Sequence, residues 1–580
     1  LNRAAAPYGL FFAPTVSTAS RATLGGMAAT DASGKGSRIH GRTSDHIVSM
    51  DVVLGDGSDW HVAPLDGPAL DAVCARDDLA GAVHRMVRDV VAAEREEIER
   101  VFPVMNRGLT GYNLKDVQDG DGVFRLAKLL AGSEGTLALT KRLTLRLTRK
   151  KAHRALVILA YDDGIEALRD VSRLIAADPV AIEFIDDKVV TLAQDDPIWT
   201  DIAAVLAHEG PRTVSGLNFA EVQGDTAAEV EATLAAFAGL SASAPASVVS
   251  ETVVRDTKVI GQLWQLRAKG VGLLGRMDAT RQGTAFVEDA AVPPENLADF
   301  VAGFRAILDG AGLKYGMFGH ADVGCVHVRP ALDMRRPEDA ARIRPVSDAV
   351  HRLARAHGGL IWGEHGKGFR GEYVPEVFGP RLYAALCRIK AAFDPPGLFN
   401  PGKIAAPSPD QPLRAIDAVP MRGPLDAAIA PERLEGFALS VKCNGNGQCY
   451  NRDLDDVMCP SYKASGDRRQ SPKGRAALLR AWLRPGGADA AFEEETHESL
   501  ASCLGCKACA SQCPVKVDIP SMRSRFYEAY YRTRRRPLRH HLLAMMERAA
   551  PLMRAVPGLA NLGLAAGGPF LRAAGLVDLP

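Results

Sequence analysis

The sequence predicts an α+β protein in three parts: short strands with Gly-rich turns, then an antiparallel sheet with helices, then a mainly α-helical, cysteine-bearing region. Three observations carry this. Strand-length apolar runs alternate with amphipathic helical stretches between residues 151 and 405. Prolines and small residues dominate 406–436. Seven of the ten cysteines fall between Cys443 and Cys513. The expected domains are 1–150, 151–405, a linker at 406–436, a cysteine domain at 437–530 and a basic helical tail at 531–580.

In the first part, "DHIVSMDVVLGDGSDWHV" sets two apolar runs around Asp56-Gly57, a hairpin signal. One amphipathic helix is expected from about Asp77 to Arg100, and an alternating strand over Thr140 to Thr148. In the second part, "RALVILAYDD" and "TVSGLNFAEV" read as strands. "GIEALRDVSRLIAAD", "TAAEVEATLAAFAGL", "LADFVAGFRAILDGAG" and "AARIRPVSDAVHRLARAHGG" read as helices, the last two with glycine stops. This pattern suggests a sheet with helices on one face.

Composition narrows the function classes. The chain has 580 residues, a formal net charge of +1, 47% hydrophobic and 24% charged residues. These are globular values, and near-neutral charge argues against wholesale nucleic-acid binding. The longest apolar stretch, Ala555 to Leu571, is interrupted by Pro557, Asn561 and Pro569, which argues against a membrane span. Clustered cysteines in a large chain point to metal or iron–sulfur ligation in a reducing compartment, and the expected location is the cytoplasm. The chain starts at Leu1 without a signal-peptide layout, so a piece of a longer protein is expected.

Cys503-x2-Cys506-x2-Cys509-x3-Cys513-Pro514 matches the bacterial ferredoxin run, whose fourth cysteine ligates the other cluster. A structural zinc site would show paired C-x2-C instead. Upstream stand Cys443, Cys449 and Cys459-Pro460. Exchanging fourth ligands gives one complete [4Fe–4S] set: Cys459, Cys503, Cys506 and Cys509. Cys443, Cys449 and Cys513 remain, three thiolates that suit a second cluster only with a non-cysteine ligand or in a three-iron form. The alternative is buried thiols without iron. A cubane moves single electrons, so a two-electron donor is needed, and a flavin is the natural one.

"PTVSTASRATLGGMAATDASGKGSRIHGRTSDHIVSMDVVLGDG" carries no dinucleotide fingerprint. On its own it says that backbone approaches something closely near Gly25, Gly26, Gly34 and Gly41. The stretch resembles the FAD-binding domain of the vanillyl-alcohol-oxidase/PCMH-type flavoproteins. "GSEGTLAL" and "FDPPGLFNPGKI" resemble a second flavin loop and the C-terminal signature of the FAD-linked oxidase cap domain. "FVEDAAVPPENL", "GHADVGCVHVRPALD" and "CNGNGQCYNRD" resemble the FAD-linked D-2-hydroxyacid dehydrogenases fused to a ferredoxin-type domain, in particular the long bacterial D-2-hydroxyglutarate type. The resemblance implies FAD contacts at Pro14, Thr18, Gly25, Gly26, Ala29, Ser33, Gly34 and Gly41. It implies further contacts at Ser133, Glu134, Gly135 and Thr136, and Asn400 at the flavin ring. The family's earlier glycine loop would precede residue 1, and its further C-terminal Cys-Cys-Gly segment does not occur in this sequence.

"MFGHADVGCVHVRP" reads as strand, turn, strand, with the turn near Ala321 to Gly324, bringing His320 and His327 together. Glu364 and His365 stand on the Gly-bounded loop "LIWGEHGKG". Two imidazoles and a carboxylate suit Zn²⁺ or Mn²⁺ with open positions for substrate. His365 is the chosen base, because histidine titrates near neutral pH. The resemblance agrees: metal on His320, His327 and Glu364, base at His365. It also implies Arg267 as reader of the substrate carboxylate. Arg329 reads a distal carboxylate or is a solvated charge. A lysine that many relatives place before "D-x-x-x-P" is missing at "AFVEDAAVP".

The expected function is oxidation of a D-2-hydroxy acid, D-2-hydroxyglutarate first, to the 2-oxo acid. Electrons would pass through FAD and [4Fe–4S] to a quinone or a carrier protein. The rivals are a D-lactate or glycolate dehydrogenase, and a non-catalytic electron-transfer subunit. A homo-oligomer is expected. The tail "RTRRRPLRHHLLAMMERAAPLMRAV" is read first as a solvated helix or docking face, and second as a peripheral contact with an anionic membrane.

Overall fold

The structure is a computed structural model describing residues 1–118, 120–195, 198–208, 210–274, 278, 280–418, 421–487 and 489–576. It divides into two compact units. Unit 1 holds Leu1–Ala428, Lys442–Val457 and Cys513–Val515; unit 2 holds Ile429–Val441, Met458–Gln512 and Lys516–Pro580.

Unit 1 contains a three-stranded sheet: β1 (Ile47–Val53), β2 (Asp59–Val62) and β3 (Leu139–Leu145), in the order β2-β1-β3. The β1–β2 turn forms where Asp56-Gly57 predicted it. Gly57 sits at φ +84° and the Asp56 carboxylate accepts the Ser58 N–H at 2.9 Å. The single helix expected over 77–100 is two, Leu79–Ala93 and Arg95–Val101. Glu94 breaks it; its carboxylate is held by Arg381 at 2.6 Å and Arg388 at 3.5 Å.

The larger sheet has eight strands: β4 (His153–Tyr161), β5 (Ala181–Asp186), β6 (Gly216–Gly224), β7 (Val248–Val254), β8 (Gln282–Gly283), β9 (Ala290–Ala291), β10 (Tyr315–His320) and β11 (Cys325–Leu332). Their order is β8-β11-β10-β5-β6-β4-β7, with β9 also on β11, and every pairing is antiparallel. Helices cover both faces rather than one. Ala155, Val157, Leu159 and Tyr161 point into one core, Leu156, Ile158 and Ala160 into the other. The unbroken apolar run of β4 is the signature of a strand buried on both sides. Helices Gly164–Arg169, Ala227–Leu240 and Leu297–Gly310 lie on the first face; Asp187–Ala193, Trp199–Leu206 and Thr257–Leu273 lie on the second. The N-caps are legible in sequence: Asp163, Asp186 and Thr226 each accept a first-turn N–H.

Residues expected as a free linker pack on unit 1 as far as Ala428. The Arg344 guanidinium joins Asp417 at 2.6 Å and Glu372 at 2.7 Å, and the Ile416 N–H donates to Glu372. A Cβ on Gly423 would stand 1.9 Å from the Met334 carbonyl oxygen. The prolines here set a path over a surface, not a spacer.

Unit 2 is helical. Pro472–Leu483, Ala490–Ala501 and Ile519–Tyr530 start at the caps Ser471, Asp489 and Asp518. Trp482 packs edge-on to Phe526 at 5.0 Å and to Phe437 at 5.7 Å. The tail forms Leu538–Ala555 and Pro557–Ala573, with Leu543, Met545, Leu552, Leu559 and Leu562 exposed. No described helix is long and apolar enough to cross a membrane.

Candidate active site

The site grows from the β10–β11 hairpin. A one-turn 3₁₀ segment over Ala321–Val323 and Gly324 at φ +69° reverse the chain. Glycine is required at the turn because a Cβ on Gly324 would stand 1.8 Å from the Val292 carbonyl oxygen. The register pairs His320 with Cys325 and Phe318 with His327, so both imidazoles share one face on a diagonal. Their ring centroids are 5.2 Å apart.

The loop carrying Glu364 and His365 is pinned from below. The buried carboxylate of Asp289 accepts the backbone N–H groups of Gly363 at 2.9 Å, Glu364 at 3.1 Å and His365 at 2.9 Å. This presents Glu364 to the hairpin. Its Oε1 lies 3.2 Å from His320 Nε2, 3.1 Å from His327 Nε2 and 3.1 Å from His365 Nε2. Its other oxygen is paired with the fully buried Arg107. The His327 and His365 rings stack at 4.7 Å. The hairpin and loop thus bring His320, His327 and His365 each within 3.2 Å of one oxygen of Glu364.

Charge is organised by burial and by these pairs. Burial alone would raise the Glu364 carboxyl, but Arg107 and His320 hold it well below the carboxylate range. Burial drops His327 to about 4, so its imidazole is neutral and keeps a lone pair for a cation. Burial opposes charge on His320 and His365 as well, yet the facing carboxylates outweigh it. Glu183 and Glu364 raise His320, and Asp289, Glu288 and Glu364 raise His365 well above its ordinary value. The resting ring of His365 therefore holds its proton more firmly than an ordinary histidine. A divalent cation on Glu364 would act in the opposite direction. His365 is the open member, its side chain 38% exposed.

These residues fit a divalent ion. Single ligand atoms of Asp289, His327, Glu364 and His365 all lie within 4.8 Å of one another. Asp289 is the least available of the four, since its carboxylate already accepts three N–H groups. His320 Nδ1 is hydrogen-bonded to Glu183, which in turn binds Arg267 Nε at 2.8 Å. That carboxylate behind the imidazole fixes tautomer and ring orientation, the usual arrangement behind a metal-binding histidine. Arg267 also lies over the Phe318 ring at 4.3 Å. Arg329 is paired with Glu288, and Glu288 Oε1 lies 3.5 Å from His365 Nδ1. Both expected substrate arginines thus already hold a carboxylate of the protein.

The expected FAD residues divide. Ala29, Glu134 and Asn400 come together: the Glu134 N–H donates to the Ala29 carbonyl at 2.7 Å, and Asn400 Nδ2 donates to the Glu134 carbonyl at 2.9 Å. Glu134 and Asn400 have positive φ. Gly25 and Gly135 have open space where a Cβ would stand, which fits close approach by a bound group. Gly26 lies in the same short helix, Leu24–Ala29, and a Cβ there would stand 3.0 Å from Thr23 Oγ1. Gly34 and Gly41 are explained by packing instead: their Cβ atoms would meet the Thr15 carbonyl at 1.7 Å and the Asp45 carboxylate at 2.3 Å. Ser133 and Thr136 are buried, with Thr136 Oγ1 2.6 Å from the Tyr112 hydroxyl. Pro14 is buried and Thr18 is exposed on a turn whose carbonyl accepts the Arg21 N–H. Arg107, on the Ser33 hydroxyl and the Gly34 carbonyl, ties this region to Glu364.

In unit 2, Cys459, Cys503 and Cys509 are buried and Cys506 is exposed. Burial raises Cys459 and takes Cys509 to about 12, and nearby Cys503 adds to both shifts, with Cys506 adding to that of Cys509. Buried Arg475 reaches Cys459 Sγ at 3.9 Å. Cys459 has φ +52°, and Pro460 after it starts a helix. Cys443, Cys449 and Cys513 are buried members of unit 1. This disposition fits one four-thiolate cluster.

Sequence reasoning missed Arg107, Glu183, Glu288 and Asp289. Glu288-Asp289 stands inside "FVEDAAVP", which marked the family without revealing a role. Nothing local distinguishes Arg107 or Glu183 from solvated charges.

Residues 1–62 match the FAD binding domain family, 150–404 the FAD linked oxidases C-terminal domain family, and 440–517 the 4Fe-4S dicluster domain family. The chain is 43% identical to D-2-hydroxyglutarate dehydrogenase of Pseudomonas putida, covering 97% of this chain and 59% of that protein. It is 40% identical to D-2-hydroxyglutarate dehydrogenase of Escherichia coli, covering 100% and 61%. It is 25% identical to D-lactate dehydrogenase of Archaeoglobus fulgidus, covering 70% and 74%. The chain thus spans about three fifths of the length of the first two relatives.

Proposed function

We propose that this chain, whose residues match an FAD binding domain, an FAD linked oxidases C-terminal domain and a 4Fe-4S dicluster domain, is the dehydrogenase part of a D-2-hydroxy acid oxidising enzyme. D-2-hydroxyglutarate is the substrate named first, on the strength of the relatives that share about two fifths of its residues. The observation that carries the reading is the convergence of His320, His327 and His365 on one oxygen of Glu364.

FAD, when bound, accepts two electrons as a hydride and releases them singly, and an iron–sulfur cluster passes them on one at a time. A divalent ion held by His320, His327 and Glu364 would polarise the substrate hydroxyl. The remaining work belongs to the chain. His365, exposed at the rim of the cluster, takes the hydroxyl proton, and Glu288 behind its Nδ1 stabilises the imidazolium that forms. Glu183 holds His320 in orientation, and Arg267 keeps Glu183 ionised at about 2 although burial opposes it. Arg267 and Arg329, although each is paired with a carboxylate of the protein, are the cations assigned to the substrate carboxylates. Ala29, Glu134, Gly135 and Asn400, with Gly25 and Gly26, form the groove for FAD. Cys459, Cys503, Cys506 and Cys509 ligate [4Fe–4S]. Residues 1–150 form the FAD-binding domain, 151–405 the substrate domain and 437–530 the cluster domain, and the electron acceptor is a one-electron carrier or a quinone.

The test is dye reduction by the complete polypeptide with a panel of D-2-hydroxy acids. D-2-hydroxyglutarate should be turned over, and His320→Ala and His365→Ala should each lower kcat at least ~100-fold. Turnover of D-lactate alone would favour the second reading, for which the Archaeoglobus relative speaks. Undiminished turnover in both variants would remove these histidines from the chemistry, and no turnover of any D-2-hydroxy acid by the unaltered protein would leave only an electron-transfer role.

A further inference from the structure

Cys443-x2-Asn446-x2-Cys449 repeats the spacing of Cys503-x2-Cys506-x2-Cys509, with asparagine in the middle position. Each run has a distant Cys-Pro partner in the other's stretch, Cys513-Pro514 for the first and Cys459-Pro460 for the second. The structure separates the ligands along that line. Cys459, Cys503, Cys506 and Cys509 belong to unit 2, whereas Cys443, Cys449 and Cys513 belong to unit 1. Only three residues around Cys513 leave unit 2, although the chain on both sides of them stays in it. All three thiols are buried, and none is in a disulfide.

Asn446 is not presented as a ligand. Its Nδ2 donates to Asn444 Oδ1 at 2.8 Å, and its Oδ1 accepts the Gln448 N–H at 2.9 Å, so the side chain closes its own loop. An amide oxygen is also a hard donor, poorly suited to a site of soft thiolates. The loop is anchored on the FAD-binding domain. Arg21 donates to Gln448 Oε1 at 3.3 Å, the Arg452 N–H donates to the Ser20 carbonyl at 3.2 Å, and Arg3 pairs with Asp453 at 2.8 Å. Arg21 in turn donates its N–H to the carbonyl of Thr18, one of the expected FAD residues.

We propose that Cys443, Cys449 and Cys513 hold a second, three-iron [3Fe–4S] cluster in the unit that holds FAD. Three thiolates leave one corner of a cubane without a ligand, and the iron at that corner is the one lost. The cluster takes one electron from reduced FAD and gives it to the next one-electron acceptor. Two such transfers reoxidise the flavin after each hydride, the one proton that the hydride brought leaves it, and no ligand bond breaks. The inference rests on the reading that Cys459, Cys503, Cys506 and Cys509 ligate [4Fe–4S].

The test is iron and sulfide analysis with electron paramagnetic resonance on the complete, anaerobically purified polypeptide. About seven iron atoms per chain are expected, with the signal of an oxidised three-iron cluster, which an oxidised [4Fe–4S] cluster lacks. Asn446→Cys should raise the count to about eight and remove that signal, and Cys449→Ser should lower it to about four and remove it. Cys506→Ser should spare the three-iron signal while abolishing that of the reduced four-iron cluster. About four iron atoms and no three-iron signal in the unaltered protein would overturn the second cluster alone. About eight with Asn446 in place would overturn its three-iron form. A protein without iron would overturn the underlying reading as well.

Discussion

Lys367 shows how much the site region carries at the level of one side chain. It is fully buried, with its ammonium 3.2 Å from the Leu109 carbonyl and over the Trp362 ring at 4.7 Å. Burial brings it down to about 7. Between pH 7 and the ordinary lysine range, the unfolded chain holds a proton that the folded chain has released. Stability from this group therefore rises with pH across that window, and its cost is full below pH 7. Lys367→Met should raise stability at pH 7 by on the order of 2 kcal/mol, with the gain shrinking by pH 9. Thermal melts of both proteins at the two pH values measure it; a gain independent of pH would mean that the ammonium is not the cause. The chemistry-bearing histidines and Glu364 were legible as residue types. Arg107 was not, because only its burial against Glu364 separates it from the many surface arginines.

The elements that matter are the β10–β11 hairpin and the loop at Gly363–Gly368. The hairpin could be read from sequence because its glycines forbid a helix and its turn must lie between two apolar runs. Gly324→Ala should be severe: the new methyl meets the Val292 carbonyl oxygen, and φ +69° suits a side chain poorly. A loss of about 3 kcal/mol or more is expected, with the divalent metal content falling alongside. Metal analysis and denaturant unfolding of the variant test this, and retention of both would show that the turn yields. The loop was not predictable as a partner of the hairpin. Its position depends on Asp289 collecting three N–H groups from a segment more than seventy residues away. The two-sided burial of the large sheet overturned the one-faced expectation; the continuous apolar run of β4 is its local trace, but that run alone does not say which helices lie on which face.

At the scale of the molecule, the residues proposed for substrate chemistry lie in one compact unit and the four thiolates proposed for [4Fe–4S] in the other. The two half-reactions should therefore separate. In Cys506→Ser, D-2-hydroxyglutarate should still bleach the flavin absorbance of the complete polypeptide, while turnover with a one-electron protein acceptor falls at least ~10-fold. Failure of the flavin to bleach in this variant, with the unaltered protein active, would show that the cluster governs the hydroxy acid site itself.

By itself the sequence determined the ferredoxin cysteine spacing, the hairpin that carries His320 and His327 and the loop bearing Glu364 and His365. These are local: spacing, glycine and proline geometry and strand alternation act over a few residues. Tertiary structure alone decided which distant carboxylates and guanidiniums stand behind each imidazole, which glycines serve packing rather than a ligand, and which cysteines share a unit. Those outcomes depend on long-range register and burial, where a charge is held only because another element brings its partner within hydrogen-bond reach.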